Sequence, residues 1–219
     1  MTDTMTIVAG IDLAGPSNLS DTAVALFSAN GRRLACLRVA VGADDRSLLD
    51  IVSDASNGAA AVVGLDAPLS YNPGGGDRPG DDELRRRVIR AGLPPGSVMP
   101  PTMTRMAYLT LRGVCVARAL ATIRPVPPRV VEVHPGACLA LRGAPIGDVR
   151  AFKRQGAARG RLLGWLEAQG VEGVAALTSP TDHLVAACAC AYAAWKWACD
   201  DASWCRGAAP PLHPYDFAC

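Results

Sequence analysis

The alternation of apolar and polar residues in the first part of the chain predicts three β-strands joined by short turns. These strands are expected over residues 5–13, 22–28 and 33–41. Asn30-Gly31, which lies between the last two, is a strong signal for a tight hairpin. The chain is therefore expected to open with an antiparallel meander.

Longer apolar patterns after the meander predict helices and buried strands. A helix is expected over residues 44–56, with Asp44 or Asp45 as its N-cap and Asn57-Gly58 as its stop. The continuous apolar run at residues 59–65 is typical of a strand that is covered on both faces. Another strand is predicted over residues 130–133, and further helices over residues 81–91, 104–123, 150–169 and 181–200.

Residues 70–104 interrupt this order with many glycines and prolines. A long irregular segment that directly follows a buried strand is more often functional than a passive connection. No internal repeat or low-complexity linker divides the chain. We therefore predict a single domain over residues 1–219, with an insertion at about 70–104 after the fourth strand.

The order of elements predicts an α/β protein with a mixed five-stranded sheet. The antiparallel meander is followed by parallel strands, and helices cover both faces. This is the order of the ribonuclease H-like fold, in which the first strand and the strand after the crossover helix are neighbours.

Three of the predicted strands end in an acidic residue: Asp12, Asp66 and Glu132. A buried carboxylate is costly unless another group compensates its charge. Ligands of open α/β sheets bind at the carboxyl ends of the strands. Three acids at such ends predict an anionic site, and carboxylates are the ligands that Mg²⁺ and Mn²⁺ prefer. The alternative for any one acid is a helix cap or a partner for arginine.

Seven short motifs resemble those of the domain-of-unknown-function 429 family. They are GIDLAG (10–15), GLDAPL (64–69), DELRRR (82–87), SVMPP (97–101), LTLRG (109–113), VEVHPGA (131–137) and DHLVAA (182–187). The resemblance extends over roughly residues 7–195. The family is described as predicted nucleases of ribonuclease H-like fold, which implies the same fold and activity here.

The resemblance adds Asp182 to the strand-end acids, so the expected catalytic and metal-binding residues are Asp12, Asp66, Glu132 and Asp182. Family members tend to carry further acids one turn before the last aspartate, where this chain has Thr178 and Ser179. Two Mg²⁺ or Mn²⁺ ions about 4 Å apart would activate water and stabilise the leaving oxygen of a phosphodiester.

Several basic residues near these motifs are candidates for binding substrate phosphate. They are Arg85, Arg86, Arg105, Arg112, His134 and Lys153. For the arginines of residues 85–87 the alternative is a solvated helix face, and for His134 it is a structural role. His183 is interpreted as structural, because adjacent helix residues do not face each other.

Composition narrows the remaining possibilities. The net charge of +2 is too small to indicate a nucleic-acid partner by itself. No signal peptide is visible, and the apolar stretch at 184–194 is too short to span a bilayer. The chain is therefore expected to be cytoplasmic, with no membrane partner.

The eight cysteines form no C-x-x-C pair and are expected to be mostly buried. A zinc site remains an alternative for a late group of residues: Cys199, Cys205, His213 and Cys219.

The leading functional prediction is a metal-dependent phosphodiesterase or nuclease that acts on nucleic acid or a nucleotide. Symmetric cutting of a duplex would favour a homodimer. One alternative is a catalytically weak or inactive binding module of the same fold. The other is a single-domain ATP-binding relative, because Asp12-Leu13-Ala14-Gly15 resembles the first phosphate loop of sugar kinases and Hsp70-type ATPases.

Overall fold

The computed structural model describes residues 6–219 and begins with the expected antiparallel meander. Its strands are β1 (Thr6–Asp12), β2 (Ala23–Asn30) and β3 (Arg33–Val41). Asn30 pairs with Arg33 across a two-residue turn, and Gly31 adopts a φ of +56° there. The predicted first residue of β1, Met5, lies outside the described residues.

The crossover from the meander to the next strand also follows the sequence prediction. Asp44 is the N-cap of helix α1 (Asp45–Ser56), and its carboxylate accepts a 2.7 Å hydrogen bond from the backbone N–H of Ser47. Asn57 is the C-cap of the helix and has a left-handed φ of 40°. Strand β4 (Ala61–Asp66) then pairs parallel with β1, in a register that places Asp66 beside Asp12.

The second half of the chain is mostly helical. Helix α2 (Pro79–Arg90) lies within the Gly- and Pro-rich segment, and α3 (Met106–Leu120) precedes strand β5 (Arg129–Val133). The remaining elements are α4 (Pro135–Leu141), α5 (Ile146–Ala151), α6 (Gly156–Ala168), β6 (Val171–Glu172), α7 (Asp182–Ala198), β7 (Cys205–Arg206) and β8 (Phe217–Ala218).

The single helix predicted over residues 150–169 is wrong, because the chain forms two helices there. Helix α5 ends at Ala151 and α6 begins at Gly156, and the turn between them buries Phe152. Helix α4 was not predicted either. It follows β5 directly, with His134 as N-cap and Pro135 as its first residue.

The α/β class is confirmed, but the predicted count of five strands is wrong. The mixed sheet has eight strands, in the order β6-β3-β2-β1-β4-β5-β8-β7. The three additional strands have two residues each, which is too short for a periodic sequence pattern to reveal. They extend the two edges of the sheet and leave the five predicted strands adjacent to one another.

Helices pack on both faces of the sheet, as predicted. One apolar cluster includes residues of α4, α6 and α7, and the other includes residues of α1 and α3. Helix α7 approaches β1 and β4 very closely through Gly10 and Gly64. A Cβ atom at Gly10 would lie only 1.9 Å from the carbonyl oxygen of Ala187, so only glycine allows this contact. Among the described residues, no helix combines the length and apolarity needed to cross a membrane.

Candidate functional site

Asp12 and Asp66 form the centre of the candidate site. They end the neighbouring parallel strands β1 and β4, and their carboxyl groups are hydrogen-bonded to each other. Burial raises the pKa of Asp66 well above its usual value, and the charge of Asp12 raises it further. The positive charge of Lys153 lowers the pKa of Asp66 and so opposes these two effects. The ionised form of Asp66 is therefore disfavoured unless a positive charge lies beside it.

His183 connects helix α7 to this pair. Its Nδ1 lies 2.7 Å from Oδ2 of Asp12, and its Nε2 lies 3.7 Å from Oδ2 of Asp21. The hydrogen bond to Asp12 is the main reason that the pKa of His183 is raised. The interpretation of His183 as merely structural overlooked this contact. One signal in the sequence could have indicated it. His183 lies in the first turn of a helix rich in small residues, and such a helix can pack closely on the sheet. A side chain in its first turn can then reach the strand ends.

Glu132 has a different environment from the two aspartates. Its Oε1 and Oε2 accept hydrogen bonds of 2.5 and 2.8 Å from the guanidinium of Arg78, and Oε2 also accepts one from the Leu69 N–H. Arg78 in turn binds the buried carboxylate of Asp81. Burial raises the pKa of Glu132, and the charge of Arg78 counteracts this effect. Both oxygens of Glu132 are thus engaged in a buried ion-pair network.

A cavity of about 610 Å³ opens above the strand ends. Asp12, Asp66 and Glu132 contribute to its lining, together with Asp182 and His183 from the first turn of α7. The structure therefore brings all four acids predicted from the sequence to one cavity. Within it, the carboxylates of Asp12 and Asp66 are in direct contact with each other, and that of Glu132 is paired with Arg78.

Three of the arginines predicted to bind phosphate form ion pairs within the protein. Arg85 donates two 2.5 Å hydrogen bonds to Asp77, and the exposed Arg86 forms an ion pair with Asp82. Arg112 is buried, and its hydrogen-bond acceptors are Asp45, Thr22 and the carbonyl oxygen of Ala14. Its role is to hold the turn that follows Asp12.

The other predicted phosphate contacts differ in position. Arg105 is exposed at the start of α3. Both ring nitrogens of His134 are occupied, since Nδ1 accepts from the Ala137 N–H and Nε2 lies 2.6 Å from the Ser97 carbonyl oxygen. Burial lowers the pKa of His134, which is consistent with a neutral ring. Lys153 is exposed, lines the cavity and forms no ion pair with any of residues 6–219, so its charge is available to a ligand.

The zinc alternative receives no support from the positions of the cysteines. All eight are free thiols, and half of them are buried: Cys138, Cys188, Cys190 and Cys219. In the part of the chain that the structure describes, no three or more His, Cys, Asp or Glu residues are grouped closely enough to hold a metal ion. Thr178 and Ser179, at the positions where the family resemblance implies additional acids, are exposed.

The sequence matches a protein family described as "Protein of unknown function (DUF429)" over residues 10–210. The chain belongs to this family. No curated protein and no solved structure matches the chain. The matched region contains all four acids, His183 and Lys153, so the candidate site lies within the family domain.

The site offers two donors of the type that hard divalent cations prefer, and no third possible ligand groups with them among the described residues. Asp12 and Asp66 offer carboxylate oxygens at one point, and Asp182 lies at the same cavity. The hydrogen bond from His183 occupies Oδ2 of Asp12 and fixes the orientation of that carboxylate. Lys153 adds a positive charge for an anionic ligand. Such an arrangement suits the binding and hydrolysis of a phosphate ester.

Proposed function

We propose that this protein is a metal-dependent phosphodiesterase whose Mg²⁺ or Mn²⁺ ion is held by Asp12 and Asp66. The observation that carries the proposal is the direct contact of these two carboxylates at the carboxyl ends of adjacent parallel strands. A cation at this position would remove the repulsion that raises the pKa of Asp66. When bound, it would polarise the phosphate and lower the pKa of an attacking water molecule.

The protein's own residues would divide the remaining tasks. Lys153 would bind a phosphate oxygen through its unpaired ammonium group. His183 would position Asp12 by holding Oδ2, and Asp182 would line the cavity without belonging to the ligand pair. The oxygen of water would bond to phosphorus as the ester P–O bond breaks, and the proton that this water releases would end on the leaving oxygen. We leave Glu132 out of the ligand set, because Arg78 neutralises it.

The architecture agrees with this proposal. The inner strands follow the order β3-β2-β1-β4-β5, which is the order of the ribonuclease H-like fold. The resemblance of the sequence motifs to predicted nucleases points in the same direction. No group of three or more possible ligands is present among the described residues, so we propose one cation on the Asp12–Asp66 pair rather than two.

Hydrolysis of bis(p-nitrophenyl) phosphate in the presence of Mn²⁺ tests this function. We expect turnover that EDTA abolishes and that Asp66→Asn reduces by about 100-fold or more. The matched control is Asp54→Asn, which removes an exposed carboxylate on α1 and should leave the rate unchanged. Equal rates for Asp66→Asn and the wild type would refute the proposal.

A second candidate is a binding module without turnover. It is favoured by the absence of a three-residue ligand group among residues 6–219 and by Thr178 and Ser179. In that case Mn²⁺ or a phosphate ester would bind at the cavity, and no product would form with any phosphodiester. The hydrolysis assay combined with calorimetric binding therefore separates the two functions.

A further inference from the structure

We infer that the cavity accepts a phosphate ester of nucleotide size, with one apolar or planar organic group, rather than a nucleic-acid duplex. This inference rests on the proposed function, because it names the substrate class of the same site. Three features of the described residues carry it: the volume of the cavity, its apolar wall and the position of the basic side chains that line it.

The volume of the cavity is that of a small-molecule site. About 610 Å³ lies within the range of roughly 300–1,000 Å³ that is usual for pockets of small ligands. Two segments line the cavity beside the strand ends. One is the end of the Gly- and Pro-rich segment, around residues 93–99, and the other is formed by α5 and the turn that follows it.

These two segments supply an apolar wall. Leu93, Val98 and Met99 come from the first segment, and Val149 and Phe152 come from the second. Four of the five side chains are buried, whereas Met99 remains 37% exposed and is accessible to a ligand. A wall of this kind can bury an aliphatic group or the face of a base, but it offers nothing to a sugar-phosphate backbone.

The positive charge is placed for one phosphate group rather than for a row of phosphates. Lys153 lies at the same cavity as Asp66, and its charge acts on that carboxylate. Arg150 and Arg154 line this cavity beside it, so the basic side chains are gathered at one point. By contrast, three of the four arginines on α2 are paired with acids: Arg85 with Asp77, Arg86 with Asp82 and Arg87 with Glu83. Proteins that bind duplex DNA instead neutralise several successive phosphates.

The geometry therefore assigns the two ends of the ligand. Its phosphate lies at the carboxylates and Lys153, and its organic group lies against Met99 and the other wall residues. Affinity should depend on both ends. Inorganic phosphate, which has only the first end, should bind more weakly than a nucleoside monophosphate.

Calorimetric titration with AMP and with inorganic phosphate, both in the presence of Mn²⁺, tests this inference. We expect AMP to bind at least about tenfold more tightly than phosphate. Met99→Ser should weaken AMP binding by about fivefold and leave phosphate binding unchanged. The matched control is Met103→Ser, because Met103 is 46% exposed but lies outside the cavity. Equal affinity for AMP and phosphate, or equal effects of the two variants, would overturn the inference.

Competition with a 30-base-pair duplex separates failure of this inference from failure of the proposed function. We expect the duplex to displace AMP poorly. If the duplex is bound tightly and hydrolysed in an Asp66-dependent manner while AMP binds no better than phosphate, only the inference on substrate size fails. If AMP binding depends on Met99 but no phosphate ester is hydrolysed, the ligand class is supported and the proposed function fails.

Discussion

Nδ1 of His183 lies 2.7 Å from Oδ2 of Asp12, although 171 residues separate them in the chain. The contact joins the first turn of α7 to the end of β1, and it depends on the close packing of α7 against Gly10 and Gly64. One carboxylate of the central pair is thereby positioned by a helix that packs on the opposite side of the sheet from α1 and α3. The geometry of the site and the packing of the fold are consequently coupled.

The contact between His183 and Asp12 predicts a dependence of stability on pH. The pKa of His183 is raised in the folded protein, above the value of about 6.5 in the unfolded chain. The folded state therefore binds this proton more tightly. The resulting stabilisation is complete below about pH 6.5 and is lost as the pH rises through the raised pKa. Urea unfolding in EDTA across this range should show the loss in the wild type.

The control for this measurement is His183→Gln, which retains a hydrogen-bonding side chain but does not titrate. The variant should lose less stability over the same pH range than the wild type. If stability falls with pH equally in the two proteins, His183 is not the group responsible. The pH dependence would then come from other groups such as Asp66, whose raised pKa acts in the same direction.

Replacing Asp66 should raise the stability of the metal-free protein and abolish metal binding. Burial and the charge of Asp12 disfavour the ionised form of Asp66, so Asp66→Asn should stabilise the metal-free protein by about 1–2 kcal/mol at neutral pH. Mn²⁺ should raise the melting temperature of the wild type but not that of the variant. Thermal unfolding with EDTA and with Mn²⁺ measures both effects. A variant that is less stable than the metal-free wild type would contradict this account.

Replacing Glu132 should lower stability and leave metal binding nearly unchanged. Glu132→Gln removes one charge from a buried ion pair and leaves Arg78 with Asp81 alone, which should cost about 3 kcal/mol of stability. Mn²⁺ affinity should remain within about twofold of the wild type. Chemical unfolding and calorimetry give the two values. A large loss of Mn²⁺ affinity with little change in stability would instead support the prediction, made from the sequence, that Glu132 binds metal.

The close approach of α7 to the sheet can be tested with a pair of glycine substitutions. Gly10→Ala would place Cβ 1.9 Å from the Ala187 carbonyl oxygen and should cost about 3 kcal/mol of stability. Gly160→Ala, on α6, has no atom within 4 Å of its Cβ and should stabilise the protein by up to about 1 kcal/mol. Equal changes in the urea midpoint would show that α7 packs less closely than described.

Much of the fold could be predicted from the sequence because its local signals are strong. Asp44 and Asn57 mark both ends of α1, and the acid-tipped runs place Asp12 and Asp66 at strand ends. The register that makes these two aspartates neighbours follows from the order of elements. The two-residue strands β6, β7 and β8 could not be predicted, because they form only where an existing edge offers a partner.

The contacts within the site were less accessible to sequence reasoning. The partner of Glu132 is Arg78, which lies 54 residues earlier in an irregular segment where no periodic pattern fixes its position. Likewise, the run of arginines on α2 gave no indication that Asp77 and Asp82 would pair with it. The contact of His183 could not be predicted from the pattern of its own helix, because its partner Asp12 lies at the end of β1.

Calorimetric titration of Mn²⁺ into the wild type, Asp12→Asn, Asp66→Asn and the surface control Asp54→Asn tests the central claim most directly. We predict saturable binding of one ion to the wild type and to Asp54→Asn, and no measurable binding to either site variant. Binding that persists unchanged in both Asp12→Asn and Asp66→Asn, or negligible heat for the wild type itself, would contradict the claim that this aspartate pair holds a divalent cation.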